Sequence, residues 1–137
     1  FSKDFKMAYG IDISPGMLAI ARKRLYSLNN VDLIENKGDN IPFPDEKFDL
    51  IFSCQTFKHL PNTALIQSYF EEIARTLKPS GLAKIQLRTG ASPYFWRWYY
   101  GASLTPEQAR ILADKAKLRI EKMEIENNKN LWLWLKK

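Results

Sequence analysis

Apolar residues fall along this chain in two rhythms, short continuous runs and stripes spaced three or four residues apart, the periods of buried strands and of one-sided helices. The run over 7–13 predicts a buried strand. Ser14 follows as an N-cap with Pro15 at the first helical position, where its missing N–H costs nothing. Met17, Leu18, Ala21, Leu25 and Leu28 then recur at helical spacing, so a helix is expected to about Leu28, where Asn29-Asn30 break it before a short strand over 31–34. After the loop 38–44, the apolar run over 48–54 has the continuous form of a strand buried on both faces. Leu65, Ile66, Tyr69, Phe70, Ile73 and Leu77 make the next helical stripe, which stops at Lys78-Pro79-Ser80-Gly81 and feeds a strand over 82–87.

Strand and helix alternating in this way imply a mostly parallel sheet with helices on both faces, an α/β fold. The pattern changes after Arg88. An aromatic stretch from Tyr94 to Tyr100 leads to Thr105-Pro106-Glu107-Gln108, a capping box with Pro at the first helical position, and a helix to about Lys117. The segments 118–126 and 131–135, joined by Asn127-Asn128-Lys129-Asn130, then predict a C-terminal antiparallel hairpin that closes the sheet edge. No internal repeat or linker marks a second domain, so one sheet is expected to account for all 137 residues.

Composition changes this picture little. Hydrophobic residues at 45% and charged residues at 26% are those of an ordinary globular protein, and no apolar run approaches the roughly 18 residues that span a bilayer. The net charge of +6 is spread along the chain, grouped only at Arg22-Lys23-Arg24 and Lys136-Lys137, so it reads as solvated surface and not as a nucleic-acid footprint. The single Cys54 has no Cys or His at metal spacing and no intrachain disulfide partner. A reducing compartment, the cytoplasm, and a metal-free fold are expected.

The candidate chemistry begins at Tyr9-Gly10-Ile11-Asp12-Ile13-Ser14-Pro15, a strand that ends in a carboxylate and turns at once into a capped helix. Open α/β sheets bind nucleotide-like ligands at the carboxyl ends of strands, where an acid can accept both ribose hydroxyl protons. A glycine-rich nucleotide loop normally lies about 20 residues before such an acid. Only eleven residues precede Asp12. The expectation is a segment of a longer protein that lacks its first strand and glycine turn.

Three blocks resemble the class I S-adenosylmethionine-dependent methyltransferases, in particular their small-molecule branch. The run from Tyr9 to Leu18 looks like the family's second strand and helix. Ile41-Pro42-Phe43-Pro44-Asp45-Glu46-Lys47-Phe48-Asp49-Leu50-Ile51 looks like its adenine loop and fourth strand, and the run from Glu72 to Gly81 is similar to the helix end and turn before its fifth. The resemblance covers 7–135 and implies a Rossmann-like fold with S-adenosylmethionine as cofactor and a small-molecule acceptor. The segment 38–42 is shorter than the usual adenine loop, and the family's Pro-Gly-Gly turn stands as Pro79-Ser80-Gly81.

Carried across position by position, the resemblance implies that Asp12 binds the ribose hydroxyls and that Ile13, with Met17 on the following helix, contacts the cofactor, Ile13 packing on the adenine. It implies that Asp39 receives the adenine amino group and that Asn40 presents its backbone N–H to the ring. Ser53 and Cys54 match strand-exit residues on the methyl-donor side, with Gln55 next to them toward the acceptor. His59, the only histidine, resembles one found after the family's fourth strand and is a candidate base, although many methyl transfers need none. Trp96 and Arg97 are candidate acceptor contacts, the rings for a planar group and the guanidinium for an anion. The same aromatic stretch equally suits sheet cover or the contact of a homodimer, while Trp132 and Trp134 read as packing.

Two other readings compete. A nicotinamide-dependent oxidoreductase also uses an acid at a strand end, but no Tyr is followed four positions later by Lys, and the closing hairpin suits a methyltransferase better. A non-catalytic module that kept the fold and lost the cofactor is the other. Methylation of nucleic acid is disfavoured by the absence of Asn-Pro-Pro-Tyr or Asp-Pro-Pro-Tyr.

Overall fold

The structure, a computed structural model, describes residues 3–90 and 101–137. The chain forms two compact units, Phe1–Pro42 and Phe43–Lys137. Its strands pair in two sheets, one in each unit, where the alternation of elements predicts a single sheet.

The first unit is a strand–helix–strand motif of β1 (Ala8–Asp12), α1 (Pro15–Leu25) and β2 (Val31–Glu35), with β1 and β2 parallel and Asp12 opposite Glu35. α1 starts as expected, the Ser14 hydroxyl accepting the Met17 N–H at 3.3 Å with Pro15 inside the first turn. It ends at Leu25, three residues before the predicted limit, with Arg22, Lys23 and Arg24 in the last turn, where the helix dipole favours cations. Leu28 belongs to a following turn, its N–H donating to Leu25 O at 2.9 Å. Of the predicted apolar stripe only Leu18 is buried, and Met17 is exposed. β1 is half-buried and not wholly enclosed, because alternate side chains point to opposite faces and Ile11 faces outward. The Arg22 guanidinium ties helix to strand by donating to Leu33 O at 2.8 Å.

The second unit runs β3 (Phe48–Ser53), a 3-10 turn (Phe57–His59), α2 (Thr63–Thr76), β4 (Leu77–Arg88), α3 (Pro106–Lys115), β5 (Arg119–Glu126) and β6 (Asn130–Lys136). Its sheet has the order β3-β4-β6-β5, with β3 parallel to β4 and the expected hairpin adding β6 and β5 antiparallel. The 78–81 segment, predicted as a turn, lies within β4 as an irregularity of register: Phe48 pairs with Leu77 and Leu50 with Leu82. β3 is half-buried in place of enclosed on both faces, with Asp49 and Phe52 exposed.

Caps define the helices. Asn62 Oδ1 accepts the Leu65 N–H at 2.9 Å at the start of α2, and Thr105 and Gln108 form the predicted reciprocal capping box of α3. The core holds the stripe of α2 (Ile66, Phe70, Ile73) with inward residues of β4 and β6 such as Ile85, Leu87 and Leu133. Arg75 clasps the start of this unit to α2: its guanidinium donates to Glu72, to Asp45 and to Phe43 O, each at 2.8 Å. The bonds to Glu72 first, then to Asp45, hold its proton more firmly than usual.

Candidate functional site

In the first unit, β1 delivers Asp12 to the turn that starts α1. One carboxylate oxygen, Oδ1, accepts the Ser14 N–H at 2.8 Å, and Oδ2 has no hydrogen-bond partner among the described residues. The carboxylate is thereby held in one orientation with one oxygen left for a ligand. Ile13, next in the chain, is 65% exposed, an apolar surface beside a fixed anion, and its Cγ2 lies 3.5 Å from where a Cβ on Gly38 would stand. Gly38 has φ +89°, a left-handed conformation natural to glycine, so the loop comes close to Ile13 without a side chain between them.

The loop carrying Asp39 and Asn40 is tied to the end of β1 by Asn36, a residue that the sequence patterns did not single out. Asn36 is 7% exposed. Its N–H donates to Asp12 O at 3.1 Å, its Oδ1 accepts the Gly38 N–H at 3.1 Å, and its Nδ2 donates to Asn40 O at 3.0 Å. The signal that finds it is Asn followed two residues later by Gly, an Asx-turn pattern. The Asp39 carboxylate is exposed and has no ion-pair or hydrogen-bond partner among the described residues, so it does not cap this turn. Asn40 spends its carbonyl on Asn36 and leaves its N–H without a protein partner among the described residues. Asn36 thus ties the strand end that carries Asp12 to the loop that carries Asp39 and Asn40. Met17 is 56% exposed in the first turns of the adjoining helix.

In the second unit, Ser53 ends β3 half-buried, and Cys54 and Gln55 follow it exposed. Gln55 has φ +67°, a strained conformation for a residue with a side chain. The 3-10 turn then presents His59, whose N–H donates to Thr56 O at 3.0 Å and whose exposed ring has no partner among the described residues. A strand-like return runs beside this turn: the N–H groups of Gly101 and Ala102 donate to Lys58 O and Leu60 O at 3.2 and 2.8 Å. Trp96 and Arg97 lie outside the described residues. Trp132 and Trp134, expected as packing, are half-buried on β6, with the Lys84 ammonium 4.9 and 4.6 Å from their ring centres.

Open α/β sheets take nucleoside-like ligands at such strand-end carboxylates, and here one stands beside an exposed apolar side chain and a loop with an unspent N–H. A family model described as "Methyltransferase domain" matches residues 1–85, more than half of the chain, and the chain belongs to that family. It is 43% identical over 72 residues to the demethylmenaquinone methyltransferase of Tropheryma whipplei (strain Twist), covering 53% of this chain and 28% of that protein. It is 35% identical over 81 residues to phosphoethanolamine N-methyltransferase 2 of Caenorhabditis elegans, covering 58% of this chain and 18% of that protein. The chain therefore spans less than a third of the length of these curated relatives.

Among solved structures, an S-adenosylmethionine-dependent methyltransferase from Clostridium acetobutylicum superposes with a TM-score of 0.83 at 14% identity, over 98% of this chain and 76% of that one. One from Aquifex aeolicus gives 0.70 at 20% identity, over 94% and 68%. These likenesses establish the Rossmann-like α/β fold. Among the described residues no helix is long and apolar enough to cross a membrane.

Proposed function

We propose that the protein is a methyltransferase that moves a methyl group from S-adenosylmethionine to a small-molecule acceptor. The observation that carries this reading is the Asp12 carboxylate, oriented through Oδ1 with Oδ2 unspent, beside exposed Ile13 in a chain of the methyltransferase family. That oxygen and the apolar neighbour fit a ribose and a flat base. When bound, S-adenosylmethionine supplies a methyl carbon on a sulfonium with a good leaving group. Asp12 accepts from the ribose hydroxyls, Ile13 and Met17 exclude water from the base, Asp39 accepts from the adenine amino group, and the Asn40 N–H donates to the ring.

The resemblance extends these roles into the second unit. Ser53 and Cys54 serve the methyl-donor side, and Gln55, Trp96 and Arg97 hold the acceptor in line, which alone lowers the barrier to displacement. His59, with its ring exposed and unpartnered among the described residues, takes the proton where the acceptor is a hydroxyl. The small-molecule acceptors in the relatives' names support this acceptor class, and the cytoplasm is the compartment proposed.

The test is transfer of radiolabelled methyl from S-adenosylmethionine to a panel of small acceptors that includes a quinone and an amino-alcohol phosphate. Incorporation that Asp12→Asn reduces at least tenfold supports the reading. Undiminished transfer by that variant contradicts the site, and no transfer with no cofactor binding favours a cofactor-free module.

A further inference from the structure

A second buried amide lies behind the end of β3. Gln86 is only 2% exposed, and its Oε1 accepts the Gln55 N–H at 3.1 Å and the Cys54 thiol at 3.5 Å. Its backbone is fixed by the ladder, since its neighbour Ile85 is opposite Ser53 of β3 and Gln86 itself is opposite Trp132 of β6. Gln86, on a central strand, therefore holds the residues that follow β3. What it holds is strained: Gln55 has φ +67°, a conformation that persists only where the surroundings over-determine it. The bond to Gln86 serves that condition, because it satisfies the Gln55 N–H.

We propose that Gln86 is a positioning residue that sets the Cys54–Gln55 turn for the methyl-donor end of the cofactor; this rests on the methyltransferase reading above. Gln86 touches neither donor nor acceptor. Without its oxygen, Gln55 relaxes toward the right-handed region and carries with it the backbone that leaves β3. Such a device makes the placement of the turn depend on an acceptor oxygen at position 86 and not on the residue types at 54 and 55, which the sequence leaves undistinguished.

Two variants separate placement from folding. Gln86→Met keeps the volume and removes the acceptor, whereas Gln86→Glu keeps an acceptor oxygen. Three readouts are compared: amide hydrogen exchange at Gln55, the S–H stretching band of the protein's only thiol, and the affinity for S-adenosylhomocysteine by calorimetry. In Gln86→Met, Gln55 exchange speeds up, the S–H band moves to that of a free thiol, and affinity falls about fivefold, the worth of one neutral hydrogen bond. KM for the acceptor rises as well, because the displaced Gln55 is an acceptor contact, and Gln86→Glu restores the exchange rate, the affinity and the KM. Unchanged exchange in Gln86→Met, or faster exchange with unchanged affinity, overturns the proposal while wild-type binding leaves the methyltransferase reading standing. A wild-type protein that binds no S-adenosylhomocysteine overturns both.

Discussion

Replacing Gly101 by alanine puts a methyl group where backbone already stands. The new Cβ meets Lys58 O at 2.7 Å and lies closer still to Leu60 O, and neither carbonyl belongs to a side chain that can turn away. The same carbonyls accept the N–H groups of Gly101 and Ala102 at 3.2 and 2.8 Å, so the return beside the His59 turn cannot shift without weakening its own bonds. Two outcomes compete. Keeping the return and absorbing the overlap costs about 1–3 kcal/mol, whereas releasing the return loses two backbone hydrogen bonds at about 1 kcal/mol each. The chain takes the cheaper, so the expected destabilisation is about 2 kcal/mol. With an unfolding entropy of about 2.1 cal/mol/K per residue over 137 residues, that lowers the thermal midpoint by roughly 7 °C. The assay is chemical and thermal unfolding of Gly101→Ala, with Gly16→Ala as its counterpart. A Cβ on Gly16 meets only Ser14 Oγ, at 3.8 Å, inside α1, so that variant gains about 0.4–1 kcal/mol from a stiffer unfolded chain. A Gly101→Ala protein within about 0.5 kcal/mol of wild type refutes the reasoning.

Asn36→Leu leaves the Gly38 N–H and the Asn40 carbonyl without their partner; because water reaches this loop, the expected loss is about 1–2 kcal/mol in urea unfolding, and an unchanged midpoint counts against the loop's dependence on Asn36. Phe70→Ala removes a ring that is 0% exposed and packs edge-on against Phe57 at 6.3 Å, so a loss of about 3–5 kcal/mol is expected in the same assay, and a loss under about 1 kcal/mol contradicts its place in the core. Glu107 has its carboxyl held below the usual range, first by its own backbone N–H and then by Thr105, at the first turn of α3. Its folded pKa lies under its unfolded one, so its contribution is present above about pH 4.3 and is lost as pH falls from there through the folded value. Glu107→Gln therefore flattens part of the acid limb of stability against pH, and identical limbs in the two proteins exclude the effect.

Legibility in the sequence followed the range of the forces involved. Ser14-Pro15 and the Thr105 capping box are local contracts between neighbouring residues, and the helices begin where those motifs predict. The antiparallel hairpin is equally local, since β5 and β6 are joined by a short polar turn. The end of α1 was not legible, because nothing in the apolar spacing distinguishes a last helical turn at Leu25 from a looser one at Leu28. Continuous apolar runs also concealed the partial exposure of β1 and β3, whose exposed members Ile11 and Phe52 are as hydrophobic as their half-buried neighbours.

The site divides in the same way. Asp12 could be proposed from its position at a strand end, and Ile13 from the family resemblance. Asn36 left only the faint local signal of an Asx turn, and Gln86 left none, because its meaning comes from burial against a segment elsewhere in its unit. Gln86 is 31 residues from the Gln55 N–H that it holds, and no spacing rule connects them.

The central claim is that Asp12 receives the ribose of S-adenosylmethionine. Calorimetric titration of S-adenosylhomocysteine into the protein and into its Asp12→Ala variant tests it most directly. The account predicts a saturable one-site isotherm for the wild type and no measurable binding by the variant, with both proteins unfolding at similar midpoints. Equal binding by the two, or no binding by the wild type, contradicts it.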